Sequence, residues 1–548
     1  MLFKVQRSRS TMESTSLLII ALLAIIITVL IHRRNYSAVI KQLRGPPVDS
    51  WLLGHDYAVN YQDQVGDLQF AWFREYGTAF RGAAPYGQSV LVLGDPKGLQ
   101  HVLHGSGYRY PKALDSDYNT AMLFGRGIVT VAGSIHQRHR KVMNPAFSAA
   151  QLRTFLSLFQ RSAKKFSGKL IDIVEGGQSS INMAPWLGKL TLDIIGESAF
   201  GYQYGALDNE DDKLAKTLNN LFCDSELFPS RAAILLSALP RVLPKPLLQV
   251  LNLIPSRRRK HFSSFNVAAQ NVGRELLQEK VNENDFDSST GKDVLSILAR
   301  ANSQEEEKKR LSDDEVLAQI ATLTLAGHET TASTLTWCLF ELCNHPEQQD
   351  RIRAEIAKVR SRYATKGELT STDYDGMPFM NAVIKETLRF HPIVPALVRV
   401  AACDDVIPLT DPIITSTGVK LTEIPVEKGQ LVKIEIGYYN RNPTVWGSDA
   451  DVWNPDRFLG ELDKQTPVGV FANLLTFSAG VRSCIGWRFA VMELQVILFE
   501  LLETFKFTFS KAGIDIKRQP AGIMIPMVRD EMSKGSQMPL RLVPSPVE

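Results

Sequence analysis

Residues 477–486 read Phe-Ser-Ala-Gly-Val-Arg-Ser-Cys-Ile-Gly, and this stretch decides how the rest of the chain is interpreted. Gly480 and Gly486 allow the backbone to approach the sulfur of Cys484 closely. A helix is expected directly afterwards, because the following apolar residues share one face: Ala490, Leu494, Ile497, Leu498, Leu501 and Phe505. The sulfur would then lie at a helix N-terminus, which lowers the pKa of a thiol and suits it to binding a metal. Arg482 offers a cation to an acidic group of a cofactor.

The remaining cysteines, at 223, 338, 343 and 403, have no such surroundings and are interpreted as small buried hydrophobes. Five cysteines without a CxxC or His-rich spacing favour neither a disulfide scaffold nor a structural zinc site. A formal net charge of +4 over 548 residues is too small to indicate nucleic-acid binding.

A second unusual stretch lies in the middle of a long predicted helix. Ser312 and Glu315 form a capping box, and the helical pattern then continues without proline to Asn344, over roughly 50 Å. Residues 326–331, Ala-Gly-His-Glu-Thr-Thr, interrupt its apolar pattern with a glycine, an acid and two hydroxyls. Polar groups in a buried helix are costly, so this position is predicted to have a function.

Together these stretches resemble the cytochrome P450 family. Its haem-binding motif, Phe-x-x-Gly-x-Arg-x-Cys-x-Gly, is matched at all fixed positions by Phe477, Gly480, Arg482, Cys484 and Gly486. Three further family motifs follow the family's order: residues 326–331 in the central helix, Glu386-x-x-Arg389, and Pro455-Asp456-Arg457-Phe458. The general style of the sequence is similar to that of fungal members.

The predicted fold class is mainly α with small β-sheets, which is the cytochrome P450 fold. Helical periodicity predicts helices over 136–175, 186–200, 262–281, 312–344, 346–362, 376–390 and 486–505. Strands are expected at 89–93 and 430–434. The domain prediction is a membrane anchor at 1–34, a Pro-rich hinge at 35–50, and one haem domain at 51–548.

The resemblance implies a role for each motif. Cys484 would be the axial ligand of a haem b iron, and Glu329 with Thr330 would deliver protons and hydrogen-bond dioxygen. The alternative for Thr330 is a hydrogen bond to a carbonyl one turn earlier. Cations for the two haem propionates would come from four residues: His136, Arg140, Arg399 and Arg482. A structural ion network that supports the haem-side fold would consist of Glu386, Arg389 and Arg457.

By the same resemblance, the substrate pocket has almost entirely apolar positions: Met122, Leu123, Phe124, Ala326, Val394, Ala396, Leu397, Ile523 and Met524. A lipophilic small-molecule substrate is expected, such as a terpenoid, a sterol or a polycyclic aromatic. The segment 228–255 is rich in Leu, Ile, Ala and Pro and is followed by Arg257-Arg258-Arg259-Lys260. It is interpreted as a surface that contacts lipid, with an ordinary core segment as the alternative.

No charged residue occurs between Ser14 and Ile31, and His32-Arg33-Arg34 follow at once, which favours a membrane anchor over a cleaved signal peptide. The expected location is the endoplasmic reticulum membrane, with a single pass and a cytosolic catalytic domain. No GxGxxG or P-loop motif is found, so electrons are expected from another protein. The resemblance to the anchored, microsomal members of the family implies that this protein is a separate NADPH-dependent reductase.

The function predicted is insertion of one oxygen atom from dioxygen into a lipophilic molecule, in secondary metabolism or detoxification. Two alternatives stay open. One is a haem-thiolate isomerase or dehydratase of a peroxide, which would need no external electrons. The other is a membrane-anchored haem-binding protein without catalysis.

Overall fold

The computed structural model describes residues 38–208, 213–282, 293–303, 305, 310–362, 368–460 and 467–545. The membrane anchor predicted at 1–34 lies outside these residues, as does the start of the hinge. Among the residues that are described, no helix combines the length and the apolar character needed to cross a bilayer.

Helices dominate the architecture. The longer ones are α1 (Asp67–Tyr76), α2 (Leu114–Phe124), α3 (Gly133–Met143), α4 (Leu156–Glu175), α5 (Met183–Phe200), α6 (Arg231–Ala238), α7 (Arg257–Asn282), α8 (Val294–Ser303), α9 (Asp313–Asn344), α10 (Pro346–Arg360), α11 (Pro378–Phe390) and α12 (Trp487–Thr504). Short helices connect them at Ala38–Gln42, Asp56–Asn60, Pro96–Gln100, Ala149–Arg153, Lys213–Leu218, Leu221–Glu226, Leu248–Leu251, Ser371–Asp375, Ile436–Tyr439 and Pro443–Trp446.

The sheets are small and lie at the edges of the helical body. Their strands are β1 (Ala79–Ala84), β2 (Gln88–Leu93), β3 (Ser180–Asn182), β4 (Ala396–Val400), β5 (Asp405–Ile414), β6 (Lys420–Val426), β7 (Leu431–Glu435), β8 (Phe505–Phe509), β9 (Ile516–Ala521), β10 (Ile523–Val528) and β11 (Pro539–Pro544). One sheet has the order β1-β2-β7-β4, a second has β3-β11-β8, and two hairpins pair β5 with β6 and β9 with β10. The predicted class, mainly α with small sheets, is confirmed.

Helix α9 forms the centre of the core. Its capping box is present as predicted, with Ser312 and Glu315 each accepting from the other's backbone N–H. Most of its side chains are buried, but Ala326 is exposed and Glu329 and Thr330 are only half-buried. The polar stretch recognised in the sequence therefore opens away from the packed core.

The helix predicted over 136–175 is wrong as a single element. Helix α3 ends at Met143, a 3₁₀ turn and a short helix follow, and α4 begins only at Leu156. Pro145 explains the break, because it cannot donate a backbone hydrogen bond inside a helix. Ser148 then caps the short helix by accepting from the Gln151 N–H.

The apolar segment 228–255 forms short helical pieces rather than one helix, as its prolines suggest: Arg231–Ala238, Leu239–Arg241, Lys245–Leu247 and Leu248–Leu251. Leu253, at its end, is 81% exposed. The segment lies against the N-terminal part of the body, where the Tyr61 hydroxyl donates to the Phe228 carbonyl at 3.2 Å.

Candidate functional site: a cysteine loop beneath the central helix

The loop that carries Cys484 is held by its backbone. The Cys484 N–H donates to the Phe477 carbonyl at 2.8 Å, which closes the loop on itself. Gly480 has φ +65° and lies so close to the preceding chain that a Cβ there would come within 1.8 Å of the Leu103 carbonyl oxygen. Only glycine fits this position. Helix α12 begins at Trp487, directly after the loop.

Cys484 combines an exposed side chain with strong desolvation. The two properties occur together where a side chain opens into an internal cavity rather than onto the outer surface. Desolvation raises the pKa of the thiol, while the Gly486 N–H and Arg140 lower it. The predicted lowering of this pKa by the helix N-terminus is therefore wrong in its net direction, because burial outweighs the helix end.

Four basic side chains converge around this loop. Arg140 on α3 donates to the carbonyl of Ser483, the residue before the cysteine, at 2.9 Å. The others are Lys112, just before α2, Arg399 in β4, and Arg482. Each donates to a backbone carbonyl: Lys112 to Val129, Arg399 to Val398 and Arg482 to Val131. We call these four residues the cation cluster.

The positive charges of the cation cluster repel one another, so each makes its neighbours easier to deprotonate. Burial, Arg399 and Arg482 lower the pKa of Lys112 to about 7, and the nearby Asp117 only partly opposes this. Burial and Arg482 lower the pKa of Arg399 to about 10. Partly desolvated cations with so little negative charge nearby are costly, so the cluster is suited to an anionic ligand.

His136 also lies at this site, buried on α3. The Tyr108 hydroxyl and the His136 Nδ1 are 2.7 Å apart. Burial and the charges of Arg482 and Arg140 lower the pKa of His136 to about 3, so its ring is neutral at physiological pH. When Tyr108 donates to Nδ1, the Nε2–H becomes the donor that the ring can offer to a ligand.

On the central helix, the Thr330 hydroxyl donates to the carbonyl of Ala326 at 2.7 Å, the alternative considered from the sequence. Burial raises the pKa of Glu329 to about 7. Glu329 and His328 line a cavity of about 590 Å³ between α5, α9 and the short helices at 213–226. None of the residues predicted for the substrate pocket lines this cavity.

The predicted pocket residues come from separate segments that meet around α9. Helix α2 and strand β10 both contact α9. The Met524 N–H donates to the Ile393 carbonyl at 2.8 Å, which brings β10 beside the chain that precedes β4. Leu123 and Ile523 are buried, whereas Phe124, Val394 and Leu397 are half-buried and Ala326 is exposed. Ala396 and Met524 line a different cavity, of about 110 Å³ near α1.

The sequence model of the cytochrome P450 family matches residues 44–532 of the chain. The chain belongs to the cytochrome P450 family. It is 31% identical over 520 residues to cytochrome P450 monooxygenase 205 of Postia placenta, covering 92% of this chain and 93% of that protein. It is 32% identical over 507 residues to cytochrome P450 monooxygenase claQ of Ampulloclitocybe clavipes, covering 91% and 92%. Haem is thus the cofactor and monooxygenation the reaction class.

The site of this cytochrome P450 fits haem. The Cys484 thiol is exposed yet desolvated and would hold the haem iron, and Arg140 of the cation cluster lies beside it. Haem has two propionates, and two carboxylates would neutralise part of the charge that now lowers the pKa of Lys112 and Arg399.

In the ion network of the cytochrome P450, Glu386 and Arg389 are fully buried. Arg389 on α11 makes two hydrogen bonds to Glu386, at 2.7 and 2.8 Å, and donates to the carbonyls of Asn440 and Ala450. The Arg457 Nε lies 3.6 Å from Glu386. These residues connect α11 to the chain around Asn440 and Ala450.

Sequence reasoning missed Lys112, Tyr108 and Thr191 in this cytochrome P450. Lys112 and Arg399 are neighbours through an isolated β-bridge, a contact between distant segments that no local pattern reveals. Tyr108 is separated from His136 by a turn and a helix. Thr191 looks like an ordinary polar residue of an amphipathic helix, but it is fully buried against His328.

Proposed function

We propose that this cytochrome P450 inserts one oxygen atom from dioxygen into a lipophilic small molecule, with electrons from a separate NADPH-dependent reductase. The observation that carries the proposal is the thiol of Cys484, which is exposed yet desolvated and lies beside the cation cluster. When bound there, haem supplies the oxygen-activating chemistry, and thiolate ligation favours O–O cleavage. The residues of the chain hold the haem, manage protons and shape the pocket.

The cation cluster and His136 would hold the haem propionates. Arg140, Arg399 and Arg482 can each offer several N–H donors, and Lys112 adds a compact charge. Propionate binding would restore the ordinary protonated state of Lys112, whose pKa is about 7 without it. His136 adds a neutral donor through its Nε2–H, since Tyr108 occupies Nδ1.

Glu329 and Thr330, on the central helix, would manage protons. A carboxyl with a pKa of about 7 is half protonated at neutral pH, which suits a group that takes up and releases protons in each cycle. Its cavity, lined also by Asn219, Ser333 and Ser536, provides polar groups that can hold water beside it. Thr330 directs its hydrogen to Ala326, so its lone pairs remain able to accept a hydrogen bond.

A lipophilic substrate is supported by the apolar residues at the pocket positions Leu123, Phe124, Ala326, Val394, Leu397 and Ile523. None of these six can form an ion pair. The relatives are fungal cytochrome P450 monooxygenases, and a role in secondary metabolism or detoxification is proposed by analogy with them.

We also propose a single-pass anchor at 1–34 in the endoplasmic reticulum membrane, a hinge at 35–50, and a cytosolic haem domain at 51–548. Exposed apolar residues near the start of the body, Trp51 and Leu52, support contact of this face with lipid. Leu253 and Ile254 add further exposed apolar surface at the end of the adjoining segment 228–255.

The test is a membrane preparation of the full chain with an NADPH-dependent reductase and a library of lipophilic compounds. We expect the ferrous carbonyl complex to show the red-shifted Soret band of thiolate ligation, and NADPH-dependent formation of oxygenated product. Product formed from a peroxide without NADPH would favour the isomerase or dehydratase. A thiolate-type spectrum with no NADPH consumption for any compound would favour a non-catalytic haem-binding protein.

A further inference from the structure

Helices α5 and α9 interlock directly beside Glu329. Gly188, Thr191 and Ile195 are spaced by three and four residues, so they lie on one face of α5. Ile195 covers Gly327, where an added Cβ would come within 2.6 Å of its Cδ1. Gly188 leaves room for the ring of His328, whose Cε1 would lie 3.1 Å from a Cβ at that position.

Thr191 stands between these two contacts and is fully buried. Its hydroxyl oxygen lies 3.0 Å from the His328 carbonyl and 3.2 Å from the His328 Nδ1. Two carbonyls of its own helix, those of Leu187 and Gly188, lie at 3.0 and 3.1 Å. Three carbonyl oxygens thus compete for the single hydroxyl hydrogen, and none of them can donate in return.

This competition decides which nitrogen of His328 carries the proton. Burial lowers the pKa of His328 to about 4, so the ring is neutral and has one N–H. If the Thr191 hydrogen goes to a carbonyl, the hydroxyl oxygen can only accept from Nδ1, which must then be protonated. Nε2 is left as a lone pair, and it lies 3.6 Å from the Glu329 Oε2.

We propose that Thr191 and His328 are positioning residues for Glu329: the Thr191 hydroxyl fixes the Nδ1–H tautomer of His328, which leaves the Nε2 lone pair facing the Glu329 carboxyl 3.6 Å away and favours its protonated form. The pair would keep Glu329 in its proton-donating form. The inference rests on the proposed role of Glu329, and it adds a cause for that role besides burial.

Other titratable groups face the same cavity and bear on the pH dependence of Glu329. They are Lys189 on α5, Lys216 and Cys223 on the short helices at 213–226, and Lys534 after β10. Burial and the nearby charge of Glu329 raise the pKa of Cys223 to about 12, so this thiol stays neutral. The His328 Nε2 lies 3.6 Å from a carboxylate oxygen of Glu329.

The decisive experiment compares Thr191→Val with Thr191→Ser in the ferric full-length protein. The infrared carbonyl band of the protonated Glu329 carboxyl, identified by its loss in Glu329→Gln, is followed against pH. In Thr191→Val the ring is free to turn its proton to Nε2 and donate to the carboxylate, so the midpoint should fall by about one pH unit. Thr191→Ser keeps the hydroxyl and should titrate as the wild type does. An unchanged midpoint in Thr191→Val overturns the inference.

A second measurement needs no variant at Thr191. In the diamagnetic ferrous carbonyl form, nitrogen-15 shifts of labelled histidines distinguish the tautomers, and the signal of His328 is identified by its loss in His328→Gln. An Nδ1–H pattern is expected, and an Nε2–H pattern overturns the inference. Both measurements are independent of turnover. If the infrared and nitrogen-15 results are as expected but no monooxygenation occurs, the proposed function alone is refuted. If turnover is normal but the midpoint of the Glu329 carboxyl band does not change in Thr191→Val, this inference alone is refuted.

Discussion

The Thr330 hydroxyl donates a hydrogen bond to the Ala326 carbonyl, 2.7 Å away and one turn earlier in α9. Such a bond is a usual way to satisfy a threonine within a helix. It does not compete with a functional role, because it uses the hydrogen and leaves the two lone pairs. Thr330 is half-buried and next to Glu329, so it can accept a hydrogen bond from water or from a proton donor.

Thr330→Val should therefore lower product formation by roughly 10²-fold while the haem content is unchanged. Valine has nearly the shape of threonine but cannot accept a hydrogen bond. NADPH consumption should persist, with its electrons recovered as hydrogen peroxide. Thr330→Ser is the matched control and should retain most of the product yield. Equal product per NADPH in the valine variant and the wild type would contradict a role for the hydroxyl.

Replacement of the cysteine tests the haem site itself. Cys484→Ser should abolish the red-shifted Soret band of the ferrous carbonyl complex and all NADPH-dependent product, since the thiolate ligand is lost. Cys403→Ser is the control, because Cys403 is half-buried in a loop outside the site. It should keep both the spectrum and turnover. A thiolate spectrum that survives in Cys484→Ser would refute the assignment.

The cysteine loop and α9 could be predicted because both depend on residues close together in the sequence. The loop is marked by the glycines at 480 and 486, and α9 is bounded by the capping box at Ser312 and the proline after His345. The single helix over 136–175 was wrong because apolar periodicity outweighed Pro145 in that interpretation. The cation cluster could be predicted only in part, since Lys112 joins Arg399 through a bridge between segments far apart in the chain. The direction of the pKa shift of Cys484 depends on burial, which a helix-end argument does not contain.

Replacement of Arg399 should have different effects on the stability of the protein with haem and without it. Without haem, Arg399 and Arg482 disfavour each other's charge, so Arg399→Gln should leave the free energy of unfolding unchanged or raise it. With haem, the variant loses a propionate partner and should release haem faster. Thermal unfolding of both forms and transfer of haem to apomyoglobin would measure this. A variant that destabilises both forms equally would show that Arg399 is only a packing residue.

Glu493 on α12 provides a pH test of stability. It is fully buried. Burial raises its pKa well above the ordinary 4.5, and the nearby Thr331 hydroxyl opposes this shift without reversing it. Above about pH 4.5 the folded protein therefore binds more protons than the unfolded one. The contribution of Glu493 to the free energy of unfolding falls as the pH rises through this range.

Glu493→Gln removes this dependence, because the amide has no proton to lose. The variant should match the wild type near pH 5 and become relatively more stable towards pH 8, by up to about 1.4 kcal/mol per pH unit. Chemical unfolding at several pH values measures the difference. A constant difference across this range would show that Glu493 is already neutralised by a partner.

The pair Glu386–Arg389 predicts a large loss of stability when one partner is removed. Glu386→Gln keeps the shape of the side chain but leaves the Arg389 guanidinium, which is fully buried, without its compensating charge. The expected cost is about 3–5 kcal/mol. Asp456→Asn is the matched control, because the Asp456–Arg351 pair is as short, at 2.6 Å, but its side chains are 51% and 40% exposed. Solvent screens that pair, and its loss should cost about 0–1 kcal/mol. Urea unfolding of the two variants measures both, and similar costs would mean that backbone carbonyls, rather than Glu386, stabilise the Arg389 charge.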